Sequence, residues 1–240
     1  MGETGPVRAP AKLTLSLGVT GVRPDGYHLI DAEMVTIDLA DELELADGDG
    51  LEVSGPAAAG VPTGDGNLVR QALAAVGRRA WVRLHKRIPS GAGLGGGSAD
   101  AAAVLRWAGC TDLTVASRLG ADVPFCVVGG RARVGGTGEV VEPLPFEART
   151  FTLLTPPLHV STAWVYGAWD ELGGPAGEHG NDLEPAALAV APDLATWRDR
   201  LAAQTGVRPR LAGSGSTWFV EGDFPGDGRV VARTVRGEAG

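Results

Sequence analysis

Residues Lys86–Leu105 read KRIPSGAGLGGGSADAAAVL, and the segment Pro89–Ser98 within them holds five glycines in the seven positions Gly91–Gly97. Glycine loses more chain entropy on ordering than any other residue, so five together need a reason. Without Cβ atoms, successive backbone N–H groups can turn inward and face one anion. Upstream, Trp81–Ile88 alternates as a strand that Pro89 ends. Downstream, Ser98 and Asp100 open an alanine-rich helix that Gly109 terminates. A loop running into a helix N-terminus suits phosphate, because unpaired N–H groups and the positive end of the helix dipole both face it. Ser98 adds a hydroxyl for phosphate or for a phosphate-bound Mg2+.

The loop is not a Walker A motif, because no Lys-Ser/Thr pair follows its last glycine. Gly91, Gly93 and Gly96 do satisfy the dinucleotide spacing GxGxxG. A dinucleotide fold also needs a second parallel strand ending in an acidic residue, and Trp107–Asp112 is too short and broken to supply it. The remaining alternative, a plain glycine-rich turn between strand and helix, leaves the glycines without a purpose.

Outward from the loop, Asn67 can cap a helix through Leu68, Ala72, Leu73 and Val76 that Gly77 stops. Alternation over Lys12–Val19, Met34–Leu39 and Asp41–Val53 predicts strands of one sheet. Thr114–Leu119 reads as a short helix, Val123–Val128 as an apolar run, and Arg131–Val141 as a hairpin around Gly135 and Gly136. The first unit then ends near Leu144, giving expected domains of 1–144 and 145–240. In the second, Phe151–Leu154 restarts strand character, Asp182–Val190 and Pro192–Gln204 read as helices, and Leu211–Phe219 is a glycine-serine loop feeding a strand. Strands and helices in this irregular order imply an α+β fold of two layered lobes.

The chain has 240 residues, 44% of them hydrophobic, with a formal net charge of −8. That length and composition can bury a real core. No Lys/Arg run appears, so the electrostatic footprint of a nucleic-acid binder is missing and no nucleic-acid partner is expected. Cys110 and Cys126 match no zinc or redox spacing, which fits a reducing compartment. Met1–Pro10 lacks an apolar signal core, and no run approaches the roughly 18 apolar residues of a membrane span. A cytoplasmic protein with no membrane partner is expected.

Three segments together carry a resemblance. PAKLTLSL at Pro10–Leu17, the loop at Pro89–Ser98 and RLAGSGSTWF at Arg210–Phe219 resemble the three motifs of the GHMP kinases, in their usual order. Within that superfamily, DGYH at Asp25–His28, KRIPSGAGLGGGSADAAAVL and LGADVPF at Leu119–Phe125 resemble the branch acting on 4-diphosphocytidyl-2-C-methyl-D-erythritol. The resemblance covers most of residues 9–220. It implies a two-lobed fold with a ribosomal-protein-S5-like N-terminal lobe and a ferredoxin-like C-terminal lobe. It also implies transfer of the ATP γ-phosphate, with Mg2+, to the 2-hydroxyl of a cytidine-diphosphate-linked methylerythritol, a small-molecule substrate of non-mevalonate isoprenoid synthesis.

Carried over position by position, the resemblance makes Lys12 and Asp122 the catalytic pair. Asp122 would accept the hydroxyl proton while Lys12 orients the hydroxyl and stabilises charge. ATP would lie on Pro89, Ser90, Gly91, Ala92, Gly93, Leu94, Gly95, Gly96, Gly97, Ser98 and Ala99, with Asn67 and Leu68 against the adenine. Tyr27 and His28 would hold the cytidine end, with Tyr166 as the second ring of a base sandwich. Thr14, Thr162, Gly213, Ser214 and Gly215 complete the implied substrate side. Thr14 stands where the first motif leads one to expect asparagine, offering one hydroxyl in place of an amide.

Other chemistry-bearing residues receive ordinary readings. His85, His159 and His179 lack ligand spacing and are expected to face solvent or to be satisfied locally. Trp164, Trp169, Trp197 and Trp218 are expected in core or lobe interface. The acid-rich stretch Asp41–Glu52 reads as the solvated face of an antiparallel strand pair, with no metal assigned to it. Two rival functions stay open: a GHMP kinase for another small alcohol, which has no need of DGYH, and a catalytically silent nucleotide binder of the same fold.

Overall fold

The computed structural model describes residues 5–237. Two long antiparallel strands, β1 (Val7–Val22) and β2 (His28–Ala46), form its spine. The register shifts between Pro10 and Lys12, between Thr14 and Ser16, and between Val19 and Gly21. Such bulges re-aim side chains, and the first two flank Lys12 and Thr14. They also interrupt the period-2 pattern, which is why the sequence yields shorter strands here.

β2 carries β1 along one edge. Its other edge carries β4 (Trp81–His85) at Glu42–Ala46 and β5 (Arg131–Gly136) at Ile30–Val35. β3 (Gly50–Ser54) and β6 (Val140–Leu144) complete a six-stranded sheet among the described residues. Asp41–Val53 is two segments, the end of β2 and most of β3, and they do not form the expected antiparallel pair because β4 lies between them, antiparallel to β2 and parallel to β3. The solvated-face reading is corrected at Asp41, which is fully buried, and holds for the exposed Glu44, Asp47, Asp49 and Glu52.

Helices α1 (Leu68–Ala75), α2 (Gly96–Trp107), α3 (Leu113–Leu119) and α4 (Val123–Val128) accompany this sheet. α2 is central. Its Ala99, Ala101, Ala102 and Ala103 are all buried, and small side chains let it approach β1, α1 and α4 closely. It begins two residues before Ser98, so Gly96 and Gly97 already belong to its first turn.

The smaller sheet has the order β10-β7-β9-β8, from β7 (Thr150–Leu154), β8 (Arg210–Leu211), β9 (Trp218–Glu221) and β10 (Arg229–Arg233). Helices α5 (Thr162–Glu171), α6 (Glu184–Val190) and α7 (Leu194–Thr205) lie between β7 and β8 in the chain. α5 is absent from the sequence reading. Ala11, Leu13, Leu15, Val35 and Ile37 of the spine pack in one apolar cluster with Phe151, Leu153 and Phe219 of the smaller sheet. One face of β1 therefore joins the two sheets, and the bulged alternation leaves Lys12 and Thr14 on the other face.

No described helix is long and apolar enough to cross a membrane. Cys110 and Cys126 are both unpaired thiols.

Candidate active site

Lys12 is an interior strand residue and is only 5% exposed. Its Nζ donates to Thr14 Oγ1 at 3.1 Å and lies 3.3 Å from Asp122 Oδ2. Asp122 stands at the N-cap position of α4, with Pro124 in the first turn. Its side chain accepts no capping hydrogen bond, so the carboxylate is left for Lys12 and the cleft. The ordinary alternatives, a strand-end lysine reaching water and a capping aspartate, are both set aside by this geometry.

The glycine loop ends against the same pair. Lys12 N donates to Leu94 O at 3.0 Å. Gly95 caps α2 in the left-handed region, φ +67°, and a Cβ there would stand 2.8 Å from Lys12 Cγ. Gly93 has φ +76°, and a Cβ there would stand 2.3 Å from Ala212 O. The loop is thus pressed between Lys12 on one side and the third motif on the other, an approach only glycine allows. The N-terminus of α2 opens at this point, so its unpaired N–H groups and dipole lie beside Lys12 and Asp122.

The two ends of the loop are tied together beneath it. Lys86, 3% exposed, pairs with Asp41 of β2 and with Asp100 of α2, the latter at 2.6 Å. Asp41 Oδ1 also accepts from Arg87 N and from Ile88 N, the latter at 2.9 Å. Burial pushes the Asp100 carboxyl up to about 7 despite the adjacent Lys86 ammonium. Two carboxyls around one ammonium leave an excess charge in a dry site, and a proton on Asp100 removes it. Sequence reading missed this cluster; an ionisable residue on each side of the loop was the available signal.

A cleft of about 740 Å³ brings together Lys12, Thr14, Tyr27, His28, Gly93, Ser98, Asp122, Thr162, Tyr166, Gly213 and Ser214. Gly213 approaches Lys12 Nζ, and Ser214 Oγ pairs with Thr162 Oγ1 at 2.8 Å. The other expected residues lie outside that lining. Gly215 backs the loop, its carbonyl facing Gly93. Asn67 caps α1, its amide accepting from Val69 N at 2.9 Å and donating to Pro62 O at 2.7 Å, while Leu68 packs beside Gly97.

At the far end of the cleft, Tyr27 stands 64% exposed on the rim. The ring that faces Tyr166 in the structure is His28, with centroids 4.6 Å apart. Burial, and secondarily the Asp122 charge, push the Tyr166 hydroxyl up to about 12, which keeps it neutral. His28 Nε2 lies 2.9 Å from Asp170 Oδ1, and Trp169 packs edge-on to the imidazole at 5.6 Å. Asp170 escaped the sequence reading because α5 did, whereas Trp169 packs against the core as expected and also flanks His28. Trp218 lies in the core as expected, whereas Trp164 is corrected from core to surface at 72% exposure. His159 is exposed as expected, but its ring stands over Gly91.

A family model described as the GHMP kinases N terminal domain matches residues 67–130, the span from α1 through the loop to α4. A 4-diphosphocytidyl-2-C-methyl-D-erythritol kinase of Cereibacter sphaeroides is 39% identical over 88% of this chain and 87% of its own. The crystal structure of a 4-(cytidine 5'-diphospho)-2C-methyl-D-erythritol kinase superposes with TM-score 0.74 at 32% identity, over 95% of this chain and 98% of that one. A mevalonate kinase of L. major reaches TM-score 0.67 at only 13% identity, over 99% of this chain and 97% of that one, which is likeness of fold alone.

Proposed function

Since this chain belongs to the 4-diphosphocytidyl-2-C-methyl-D-erythritol kinases of the GHMP superfamily, we propose a division of labour in its cleft for moving the ATP γ-phosphate to the 2-hydroxyl of that alcohol. The enzyme is a small-molecule kinase of isoprenoid synthesis. What supports the residue assignments above all is the Lys12–Asp122 pair at the end of the glycine loop.

In this reading Asp122 receives the proton of the attacking hydroxyl. Lys12, held by Thr14, orients that hydroxyl and balances charge on the transferring group. The N–H groups of Gly93–Ser98 hold the β- and γ-phosphates, with Pro89–Ala92, Ala99, Asn67 and Leu68 along the rest of ATP. Phosphoryl transfer has little covalent chemistry for a protein to perform, so positioning and electrostatics carry the rate. Tyr27, His28 and Tyr166 hold the cytosine at the far end, and Thr162, Gly213 and Ser214 line the path between. Residues 1–144 and 145–240 then act as two lobes around the cleft, the outermost residues at each end lying outside the described range.

Mg2+ enters with ATP in this reading. Ser98 supplies a hard oxygen donor in the cleft, the donor chemistry that a phosphate-borne Mg2+ accepts. The ion would neutralise phosphate charge as it transfers. A cytosolic setting accords with two free thiols and an acidic sequence without Lys/Arg runs.

The test is a coupled assay of ADP release with Mg-ATP and, separately, 4-diphosphocytidyl-2-C-methyl-D-erythritol, mevalonate, homoserine or no acceptor. Turnover confined to the cytidine-linked acceptor is expected. Turnover with mevalonate or homoserine would overturn the roles given to Tyr27 and His28, and ATP binding without any turnover would leave a silent binder.

A further inference from the structure

Asn181 takes no part in the roles assigned above, yet it is 3% exposed and both hydrogens of its side-chain amide are committed. Nδ2 donates to Leu211 O at 2.9 Å and to Gly213 O at 2.7 Å, two carbonyls of the loop that faces Lys12. Oδ1 accepts from Leu183 N at 3.0 Å, which fixes the amide's orientation. A buried amide with three partners on main-chain groups specifies geometry, because losing any partner leaves a dry polar group unpaired.

The segment around Asn181 is itself fastened to β1. Leu17 N donates to Gly180 O at 2.8 Å, and Asp182 N donates to Leu17 O at 2.9 Å. Val19 N donates to Asp182 Oδ2 at 2.9 Å, while the other carboxylate oxygen accepts from Gly177 N at 2.9 Å. Residues 180–182 therefore add a short parallel bridge beside Leu17, on the same strand that carries Lys12 five positions earlier. Arg210 Nη1 donates to Leu15 O at 3.0 Å, a second tie between the third motif and that strand.

We infer that Asn181, seated on β1 through Asp182, is a positioning residue that fixes Gly213 and Ser214 relative to Lys12 and Thr14. The inference rests on the catalytic reading of Lys12. A Cβ on Gly213 would lie 3.5 Å from Lys12 Nζ and 3.7 Å from Thr14 Oγ1, so drift of this loop changes the floor of the cleft at the reacting end. The same loop presses on Gly93 through Ala212 O and Gly215 O. The amide thus sets the spacing between the first and third motifs, and phosphoryl transfer is sensitive to that spacing at the level of an ångström.

The test compares Asn181→Asp and Asn181→Ala with the parent enzyme, alone and combined with Lys12→Ala. Asn181→Asp keeps the oxygen that accepts from Leu183 N and turns the donor to two carbonyls into a third acceptor. It keeps the question open should the alanine variant fold poorly. Expected is a fall in kcat of roughly ten- to a hundredfold for either variant. The KM of the cytidine-linked substrate should stay within about twofold, because Tyr27 and His28 are held elsewhere, and the kcat loss should shrink in the Lys12→Ala background. A lowered unfolding temperature with unchanged kcat would overturn the inference, as would a kcat loss of equal size in both backgrounds. Full turnover by Lys12→Ala itself would instead remove the catalytic reading, and the inference with it.

Discussion

Lys12 Nζ lies 3.3 Å from Asp122 Oδ2, although Lys12 belongs to β1 and Asp122 to the N-terminal end of α4. The lysine side chain is 6% exposed and the carboxylate 31%, so the ammonium sits at the base of the cleft and the carboxylate opens into it. A base that is partly exposed can meet a substrate hydroxyl, and a cation that is buried acts at low dielectric, where its field is strong.

Asp122→Asn keeps the shape and removes the base. We expect kcat to fall about 10²- to 10⁴-fold, the usual worth of positioned general base catalysis, with the KM for ATP within about twofold. Steady-state kinetics in both substrates checks this, and unchanged kcat would strike Asp122 from the mechanism.

Tyr27→Ala should act on binding and leave chemistry alone. One base-stacking ring is worth about 1–3 kcal/mol, which is about a 5- to 150-fold rise in KM for the cytidine-linked substrate. Loss confined to kcat would contradict the stacking role.

How far these roles could be read from the sequence differs residue by residue. The glycine loop was legible from its residues, because five glycines ahead of a helix start reflect a local constraint of backbone conformation. Lys12 and Asp122 were legible only through the resemblance of PAKLTLSL and LGADVPF to known motifs, since singly they read as a strand lysine and a turn or capping aspartate. Asp41, Lys86 and Asp100 were not legible, since their meeting is a tertiary event and Asp41 sits in an acid-rich run that looks solvated. α5 was missed because Trp164, Val165, Tyr166 and Gly167 are poor helix formers, and packing of Val165, Tyr166 and Trp169 supplies the stability. Asn181 reads locally as a turn residue; its partners at Leu211 and Gly213 are thirty positions or more away.

The ion cluster under the loop gives a stability prediction with a defined sign. Asp100 has its folded pKa raised from 3.8 to about 7, so the folded state holds its proton longer than the unfolded chain. Its contribution to stability therefore declines as pH rises from about 4 to about 7 and is level above that. Asp100→Asn removes this decline, and urea unfolding across that window should show a smaller loss with rising pH than the parent. Lys86→Met leaves Asp41 and Asp100 facing each other without a cation and should cost about 3–5 kcal/mol at pH 8, less at pH 5 where Asp100 can keep a proton. An equal cost at both pH values would show that Asp100 does not titrate in this window.

Gly93→Ala tests the squeeze between motifs. The left-handed φ of +76° costs an L-residue of the order of 1 kcal/mol, and the added Cβ would meet Ala212 O at 2.3 Å and Gly215 O at 2.8 Å. Backbone must move to relieve contacts that close. We expect the KM for ATP to rise about tenfold or more and kcat to fall with it, since the loop and the third motif shift together. ATP affinity by calorimetry separates the two, and parent-like affinity would show that the loop accommodates a side chain.

Thr14 presents the same question from the other side of Lys12. Its hydroxyl, 2% exposed as a residue, accepts from Lys12 Nζ at 3.1 Å, so its first partner in the protein is the cation proposed to act on the transferring phosphate. Thr14→Val preserves shape and branching but leaves Lys12 with Asp122 alone. A hydrogen bond to a charged group contributes about 1.5–3 kcal/mol, so a Lys12 that is less firmly aimed should lower kcat about tenfold to a hundredfold. Thr14→Ser restores an acceptor and should recover most of that rate, which a loss of packing alone would not allow. Thr14→Asn offers an amide oxygen to Lys12 and an N–H2 to the cleft. If the threonine hydroxyl serves only Lys12, Thr14→Asn should match the parent in kcat and change the substrate KM; if it also touches substrate, both parameters should move.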